Sequence, residues 1–172
     1  RRSVRSLPST AYTPDQTEAW ATSRTPDQYP IGRTNFLIGI EDDRITAFGE
    51  LSLRATEVEC LFVHPDFTGR GLGRDMLHSL HSIAHACGLS GLAVISSLNA
   101  TSFYRHHGYE VTDPNVAIDR GGLPIPCRLL RTRLAGPGMP RPWLIRPASP
   151  EDCTGICAAH IASIRALCAP NH

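Results

Sequence analysis

Residues 57–88 constrain the fold of this chain more than any other part of its sequence. They begin with a β-prone run, Glu57–Val63, which stops before a proline, and proline rarely continues a strand. Next comes a basic turn with three alternate glycines, Gly69, Gly71 and Gly73. From Leu72 to Ala84 the apolar residues recur at helical spacing. The pattern predicts a strand, a glycine-rich turn and a helix in direct succession.

A glycine-rich turn between a strand and a helix is typical of an anion-binding site. The first amides of a helix have no carbonyl partners, the helix dipole favours negative charge, and glycine lets a phosphate approach the backbone. A Walker loop is excluded, because neither Gly-Lys-Ser nor Gly-Lys-Thr occurs in the chain. The spacing of the glycines disfavours a dinucleotide fingerprint. A plain glycine turn is the simpler alternative, and the flanking Arg70 and Arg74 argue against it.

Two linked motifs resemble the GNAT superfamily of acyl-CoA-dependent N-acyltransferases. The first follows Val63-His64-Pro65, and the family pattern [QR]-x-x-G-x-[GA] appears here as Thr68, Gly69, Arg70, Gly71, Leu72 and Gly73. Thr68 departs from the usual Gln or Arg. The second motif is an Asn followed by F-Y-x-x-x-G-[FY], which appears as Asn99, Phe103, Tyr104, Gly108 and Tyr109. The two motifs at this separation are more specific together than either is alone.

The resemblance implies an α/β (α+β) fold, with a mixed, mostly antiparallel central sheet that is flanked by helices and splays between its fourth and fifth strands. From the residue pattern, strands are predicted at 35–41, 45–53, 57–63, 92–96, 109–111 and 127–133. Helices are predicted at 13–22, 72–88 and 100–106. We expect the first three strands to form an antiparallel meander and the residues between the last two to form a loop.

The C-terminal segment resembles the opening strand and helix of a GNAT domain. Residues 143–148 predict the strand, and a helix is expected from about Pro150 to Cys168. We therefore interpret residues 1–172 as a single, circularly permuted domain whose family-order start is Met139. Its expected parts are a core at 1–135, a linker at 136–142 and a first strand and helix at 143–172. A truncated tandem of two domains is the alternative.

The length of the linker raises a further expectation, a homodimer with exchanged C-terminal segments. In the family the first and last strands of the sheet lie roughly 24 Å apart. The eight residues 135–142 extend to about 27 Å, so closure within one chain is taut. Exchange of the segment with a neighbouring molecule would relieve that tension.

Composition limits the partners and the location of the protein. The chain has 172 residues and a net charge of +1, so we expect one domain and no nucleic-acid partner. It has no apolar run of membrane length and no signal-peptide pattern, so we expect a cytoplasmic protein without membrane contact. Cys153, Cys157 and His160 share one helical face. We interpret that face as packing rather than a metal site, and no metal is expected.

The resemblance assigns Tyr104 as the general acid that protonates the sulfur of coenzyme A (CoA) as it leaves. A buried core aromatic is the alternative role of this residue. Glu57 and Glu59 share one face of their strand, and Glu57 lies where some family members carry a general base. Burial would raise the pKa of such a carboxylate and make it a better base near neutrality. A solvated or salt-bridged strand acid is an equally good interpretation of Glu57.

The resemblance also assigns the co-substrate, acetyl-CoA. Backbone groups of the splayed fourth strand are expected to bind the acetyl carbonyl and the pantetheine amides, and the glycine turn is expected to bind the pyrophosphate. The residues expected to contact acetyl-CoA are Leu61, Phe62, Val63, Thr68, Gly69, Arg70, Gly71, Leu72, Gly73, Arg74, Asn99 and Phe103.

The resemblance implies an N-acetyltransferase that moves an acetyl group from acetyl-CoA to a primary amine by direct attack in a ternary complex. A non-catalytic acyl-CoA-binding sensor or scaffold of the same fold is the alternative function. The acceptor is either a small-molecule amine or a protein amine. Residues 12–36 and the loop at 112–126 are expected to surround it, because these segments vary most in the family.

Overall fold

The computed structural model describes residues 11–32, 34–134 and 144–168. Their seven strands form one sheet in the order β5-β6-β4-β3-β2-β1-β7. The strands are β1 (Asn35–Glu41), β2 (Arg44–Ser52), β3 (Glu57–Val63), β4 (Gly91–Ser97), β5 (Glu110–Arg120), β6 (Leu123–Arg133) and β7 (Leu144–Pro147). The helices are α1 (Pro14–Ala21), α2 (Leu72–Ala86), α3 (Thr101–His106) and α4 (Cys153–Cys168).

Every neighbouring strand pair is antiparallel except β3 with β4, so the predicted mixed, mostly antiparallel sheet is confirmed. Residues 1–10 of the predicted core and the predicted linker at 136–142 lie outside the described residues. Within the described ranges, no helix is both long and apolar enough to cross a membrane.

The predicted meander of β1, β2 and β3 is confirmed, and β2 begins one residue earlier than expected. Asp42 and Asp43 join the first two strands, and both have positive φ, 49° and 56°. Two such residues are what a type I′ hairpin turn requires, and aspartate adopts this conformation more readily than most residues. Glu41 pairs with Arg44 across the turn.

Helix α2 packs its apolar face on the meander. Met76, Leu77 and Leu80 are fully buried in the main core cluster. Gly49 of β2 permits this contact, since a Cβ there would lie 3.0 Å from Leu80 Cδ1 and 3.1 Å from Met76 Cγ. The close approach fixes the position of α2 and therefore of the glycine turn at its start.

The C-terminal segment adds a strand and a helix beside β1. β7 pairs antiparallel with β1, from Leu37 opposite Pro147 to Ile40 opposite Leu144. Arg146 then makes two 2.9 Å bonds to Asp152, in the 3-10 turn that leads into α4. The predicted strand and helix are confirmed, whereas the circular permutation and the exchange between molecules stay predictions.

Alternation along β1 divides the core between the two faces of the sheet. Leu37 belongs to the cluster beneath α2, whereas Phe36 and Ile38 belong to the cluster that contains Ile156 of α4. Because successive side chains of a strand point to opposite faces, α2 and α4 cover opposite faces of the sheet. Both helices contact β2 and β3, so the centre of the sheet is enclosed from both sides.

The loop predicted at 112–126 is wrong, because these residues form most of a long β-hairpin. β5 continues to Arg120 and β6 begins at Leu123, with both glycines of the turn at positive φ. Proline is disfavoured inside a sheet because it lacks an N–H group. Pro124 and Pro126 lie beyond the last pair between β4 and β6, Ser97 with Cys127, so their missing N–H groups cost no bond to β4.

Candidate functional site

The parallel ladder between β3 and β4 ends after two residue pairs. Glu57 pairs with Ala93 and Val58 with Val94, yet β3 continues to Val63 and β4 to Ser97. The two strands therefore diverge toward their carboxyl ends. Counted in the order of the family, in which the strand at the C-terminus of this chain comes first, β3 and β4 are the fourth and fifth strands, so the predicted splay is confirmed.

A groove of about 800 Å³ opens at the carboxyl end of β3, against Leu61, Phe62 and Val63. The gap between the two strands themselves holds a second, smaller cavity, which residues 59–62 and 94–97 line.

The groove is lined by β3, the glycine turn, α3 and α4. Of the residues predicted to contact acetyl-CoA, every one except Arg70 lines it. Arg70 instead donates two hydrogen bonds to Glu41, at 2.9 and 2.7 Å. Ser163 of α4 also lines the groove, and the sequence offered no signal for it. Its hydroxyl lies within donating distance of the Val63 carbonyl (2.9 Å) and of the Ala159 carbonyl (2.6 Å).

The glycine turn brings bare backbone to one end of the groove. Gly69 and Gly71 have φ values of 74° and 91°, a region that favours glycine. Gly71 is the N-cap of α2, so the amides that follow it have no carbonyl partner within the helix. At Gly73 a Cβ would lie 3.4 Å from two side chains of the groove wall. Unpaired amides, the helix dipole and the nearby Arg74, which also pairs with Asp75 at 3.1 Å, favour negative charge at this end of the groove.

Tyr104 of α3 stands in the wall between the groove and the smaller cavity. It lines both spaces, as do Leu61, Phe62 and Ala100. Only 4% of the residue is exposed, and burial raises the pKa of its hydroxyl above the ordinary value. The hydroxyl therefore keeps its proton at neutral pH and can donate it to an anion that forms beside it.

Only one of the two candidate carboxylates of β3, Glu57 and Glu59, reaches the smaller cavity, whose volume is about 90 Å³. Glu59 lines it, whereas Glu57 lines neither the cavity nor the groove. Burial raises the pKa of Glu57, and the neighbouring Glu59 adds to the effect. The raised pKa agrees with the expectation for Glu57, but its position lies outside both spaces.

Two arginines mark the outer end of the smaller cavity. Arg24, after α1, and Arg120, at the end of β5, line both this cavity and a surface depression of about 400 Å³. Arg24 lies 3.5 Å from the buried carboxylate of Glu50. Burial lowers the pKa of Arg120, and Arg24 lowers it further, as two guanidinium groups held close together should. Sequence reasoning missed both arginines, because no motif links residues 24 and 120.

His160 of α4 also lines the smaller cavity. Its Nδ1 lies 3.0 Å from the Tyr29 hydroxyl, whereas its buried Nε2 has no hydrogen-bond partner among the described residues. Burial, followed by Arg24 and Arg120, lowers the pKa of His160 to about 4, so the imidazole is neutral at pH 7. The helical face that it shares with Cys157 packs inward, since Cys157 Sγ lies 3.5 Å from the Arg24 carbonyl oxygen.

Comparison with known proteins identifies relatives of this chain. The family model described as "Acetyltransferase (GNAT) domain" matches residues 8–123. The L-amino acid N-acyltransferase MnaT of Escherichia coli (strain K12) is 32% identical over 108 residues, which are 57% of this chain and 60% of that protein. The chain thus spans less than two thirds of this relative's length. The L-methionine sulfoximine/L-methionine sulfone acetyltransferase of Salmonella typhimurium is 32% identical over 119 residues, 62% of this chain and 67% of that protein.

Solved structures share the fold. A GCN5-related N-acetyltransferase from Rhodopseudomonas palustris superimposes with a TM-score of 0.57 at 21% identity, covering 78% of this chain and 100% of its own. The IAA acetyltransferase from Bacillus cereus gives a TM-score of 0.52 at 18% identity, covering 74% of this chain and 96% of its own. At these identities the likeness shows the fold alone.

The lowered pKa of His160 predicts a loss of stability in acid. The folded chain takes up this proton only near pH 4, and the unfolded chain takes it up near about pH 6.5. Between those values the unfolded state binds more protons. The free energy of unfolding should therefore fall as the pH falls through this window, by at most about 1.4 kcal/mol per pH unit from this group.

Urea unfolding of the wild type and of His160→Asn isolates this contribution. Comparison of two proteins is needed because burial raises the pKa values of Glu50 and Glu57, which act in the opposite sense. The unfolding free energy of the wild type minus that of the variant should decrease from pH 7 to pH 4.5. A constant difference would contradict the neutral, buried imidazole.

Proposed function

The chain belongs to the GNAT acetyltransferase family, and we propose that it transfers the acetyl group of acetyl-CoA directly to the primary amine of a small molecule. Tyr104 forms the wall between a groove that ends at the glycine turn and a cavity that ends at two arginines. This arrangement supports one compartment for each substrate, with Tyr104 as the proton donor where the compartments meet.

Two features of the groove fit acetyl-CoA. The glycine turn offers unpaired backbone amides and Arg74 to a pyrophosphate. Beyond Val58, the side of β3 that faces β4 has no strand partner among the described residues. Backbone groups on that side can pair with the amides of the pantetheine arm, as they would with a neighbouring strand. The volume of about 800 Å³ is also within the usual range for ligand sites.

The transfer joins the amine nitrogen to the acetyl carbon and breaks the bond between that carbon and sulfur. Tyr104 supplies the proton that the leaving sulfur takes up, because its buried hydroxyl remains protonated. Backbone donors of β3 beside the splay polarise the carbonyl as negative charge develops on its oxygen. The amine approaches from the smaller cavity, on the other side of Tyr104.

A direct transfer is favoured over an acetylated cysteine. Cys60 lines the smaller cavity, but burial raises the pKa of its thiol, and the nearby Glu50 adds to the effect. A thiol with a raised pKa holds little thiolate at neutral pH and is a poor nucleophile. None of the described residues that line the groove is a cysteine.

The charges around the smaller cavity favour an acceptor that carries a carboxylate as well as an amine. Arg24 and Arg120 lie at the outer end, which the cavity shares with the surface depression, whereas Glu59 lines the cavity but not the depression. A carboxylate bound by the two arginines would place its amino group inward, toward the buried Tyr104. The names of both curated relatives specify an L-amino acid or an L-methionine derivative as substrate.

Tyr104→Phe should slow transfer strongly and leave acetyl-CoA binding intact. Loss of the proton donor should lower kcat by about 10²-fold or more, whereas the remaining ring still fills the wall. Thermal melting reports binding, since acetyl-CoA at 100 times its Kd should add about 2.7 kcal/mol of stability to both proteins. Release of the CoA thiol reports turnover, with a panel of amines that includes L-methionine sulfone.

Tyr109→Phe is the matched control. Tyr109 is equally buried, but its hydroxyl pairs with His81 at 2.8 Å and it lines neither the groove nor the smaller cavity. Turnover should persist in this variant. Full activity of Tyr104→Phe would exclude the tyrosine as the acid. Binding of acetyl-CoA by a wild type that acetylates no amine would favour the non-catalytic sensor instead.

Arg120→Gln should weaken the binding of an amino acid and spare an amine without a carboxylate. A hydrogen bond to a charged group contributes about 1.5–3 kcal/mol, so KM for L-methionine sulfone should rise about 10- to 100-fold. KM for 3-(methylsulfonyl)propylamine, which lacks only the carboxylate, should stay within about twofold of the wild type. Arg54→Gln, at an exposed position in the turn after β2, should change neither value. Equal effects of Arg120→Gln on both acceptors would contradict a carboxylate site.

A further inference from the structure

We infer that His160 is the base that takes the proton from the acceptor amine, through Nε2 in the smaller cavity. The inference rests on the proposed transfer reaction and adds to it a catalytic residue. His160 belongs to α4, in the C-terminal segment, and lies outside both of the motifs that identify the family.

The unpaired nitrogen of His160 is the first observation. The residue is only 4% exposed, and Nε2 has no hydrogen-bond partner among the described residues. A buried polar atom without a partner costs about 1–3 kcal/mol, and natural proteins rarely keep one without a reason. An amino group bound in the cavity would supply the missing partner.

The ring of His160 is held in a fixed orientation. Nδ1 lies 3.0 Å from the Tyr29 hydroxyl, and the ring packs 4.6 Å from that of Phe62 and 6.0 Å from that of Phe48, centroid to centroid. In the tautomer that donates the Nδ1 proton to Tyr29, Nε2 carries a lone pair. Tyr29 therefore serves as the positioning residue for the proposed base.

The size of the smaller cavity brings the reacting groups together. A volume of about 90 Å³ holds no more than a few water molecules. His160 and Tyr104 both line this space, and an amino group bound between them would lie beside both. A base and an acid are thereby available to the same nitrogen and to the thioester beside it.

Neither of the two candidate carboxylates of β3 is buried in the smaller cavity as His160 is. Glu57 lies outside the cavity, and Glu59 lines it but is an exposed residue, so water competes with a bound amine for its carboxylate. The charged or titratable groups that face His160 from the elements packed against it are Arg24, Tyr29, Glu59, Cys60, Tyr104 and Arg120. Arg24 and Arg120 help to keep the imidazole neutral in the free protein. A bound carboxylate would offset both charges and make His160 a stronger base when the acceptor is present.

The protons of this step balance. The neutral amine attacks the acetyl carbon, and its nitrogen loses a proton to Nε2 of His160 as the carbon–nitrogen bond forms. The carbon–sulfur bond then breaks, and the sulfur takes the proton of the Tyr104 hydroxyl. His160 returns its proton to the Tyr104 oxygen through water that enters when the products leave. The net products are the acetylated amine and CoA with a free thiol.

His160→Asn tests the base, because asparagine can keep the hydrogen bond to Tyr29 and lacks Nε2. We expect kcat to fall by about 10²- to 10⁴-fold, with Kd for acetyl-CoA within about twofold of the wild type. The matched control is His81→Gln. His81 is also a desolvated imidazole with a pKa of about 4 and a tyrosine partner, Tyr109, but it lines neither the cavity nor the groove. The kcat of His81→Gln should stay within about twofold of the wild type.

The outcomes separate this inference from the proposed function. An active wild type together with an active His160→Asn overturns the inference alone, as does loss of turnover in Glu59→Gln but not in His160→Asn. A wild type that neither binds acetyl-CoA nor acetylates any amine overturns the proposed function, and the inference with it. These comparisons use variants whose circular dichroism and melting temperature show that they fold.

A measurement on the wild type covers the case in which His160→Asn does not fold. Long-range ¹H–¹⁵N spectra of the histidine ring report which nitrogen holds the proton. At pH 7 the imidazole of His160 should carry its proton on Nδ1, and Nε2 should be unprotonated. A proton on Nε2 would leave no lone pair for the amine and would overturn the inference.

Discussion

The early end of the β3–β4 ladder is the constraint on which the rest of the site depends. A strand that loses its neighbour leaves N–H and C=O groups that must bond elsewhere. Here the ladder stops at Val58, and beyond it β3 lines the smaller cavity and then the groove instead of pairing with β4. Helices on opposite faces of the sheet then line this open space. The start of α2 brings the glycine turn to the groove, and α4 brings Ser163 to the groove and His160 to the smaller cavity.

Burial has opposite and complementary effects on the two groups proposed to move protons. It raises the pKa of Tyr104, so the tyrosine stays protonated, and it lowers the pKa of His160, so the histidine stays unprotonated. An acid and a base thus coexist at one pH, each in the form that the transfer requires. Both are neutral and lie between the two regions proposed to bind anions, the glycine turn and the arginine pair. The charges of the two substrates would therefore be held away from the reacting atoms.

Local pattern predicted most of the fold, because the strands and helices form where the sequence favours them. The bounds of β1 and β3 were predicted to the residue, and the splay followed from the family motif. The length of the hairpin of β5 and β6 was missed. Whether Pro124 and Pro126 cost β6 a hydrogen bond to its neighbour depends on where β4 ends, and that is a property of the tertiary fold. The groove was largely predicted because its residues are close together in the sequence.

The smaller cavity was not predicted, because Arg24, Arg120 and His160 come from three distant segments that only the tertiary fold brings together. Glu57 was predicted as a candidate general base from its place in β3. It stands where β3 and β4 are still paired, before the gap opens, and so lies outside both spaces. Glu59, two residues further along, reaches the cavity.

The central claim is that CoA and the acceptor meet at Tyr104 from opposite sides. A crystal structure of the protein with CoA and L-methionine sulfone tests it most directly, through the distance between the CoA sulfur and the Tyr104 hydroxyl oxygen. We expect a distance of about 3–3.5 Å, as for groups placed for reaction, with the pyrophosphate on the glycine turn and the amino group in the smaller cavity. CoA bound outside the groove, or an acceptor bound away from Tyr104, would contradict it.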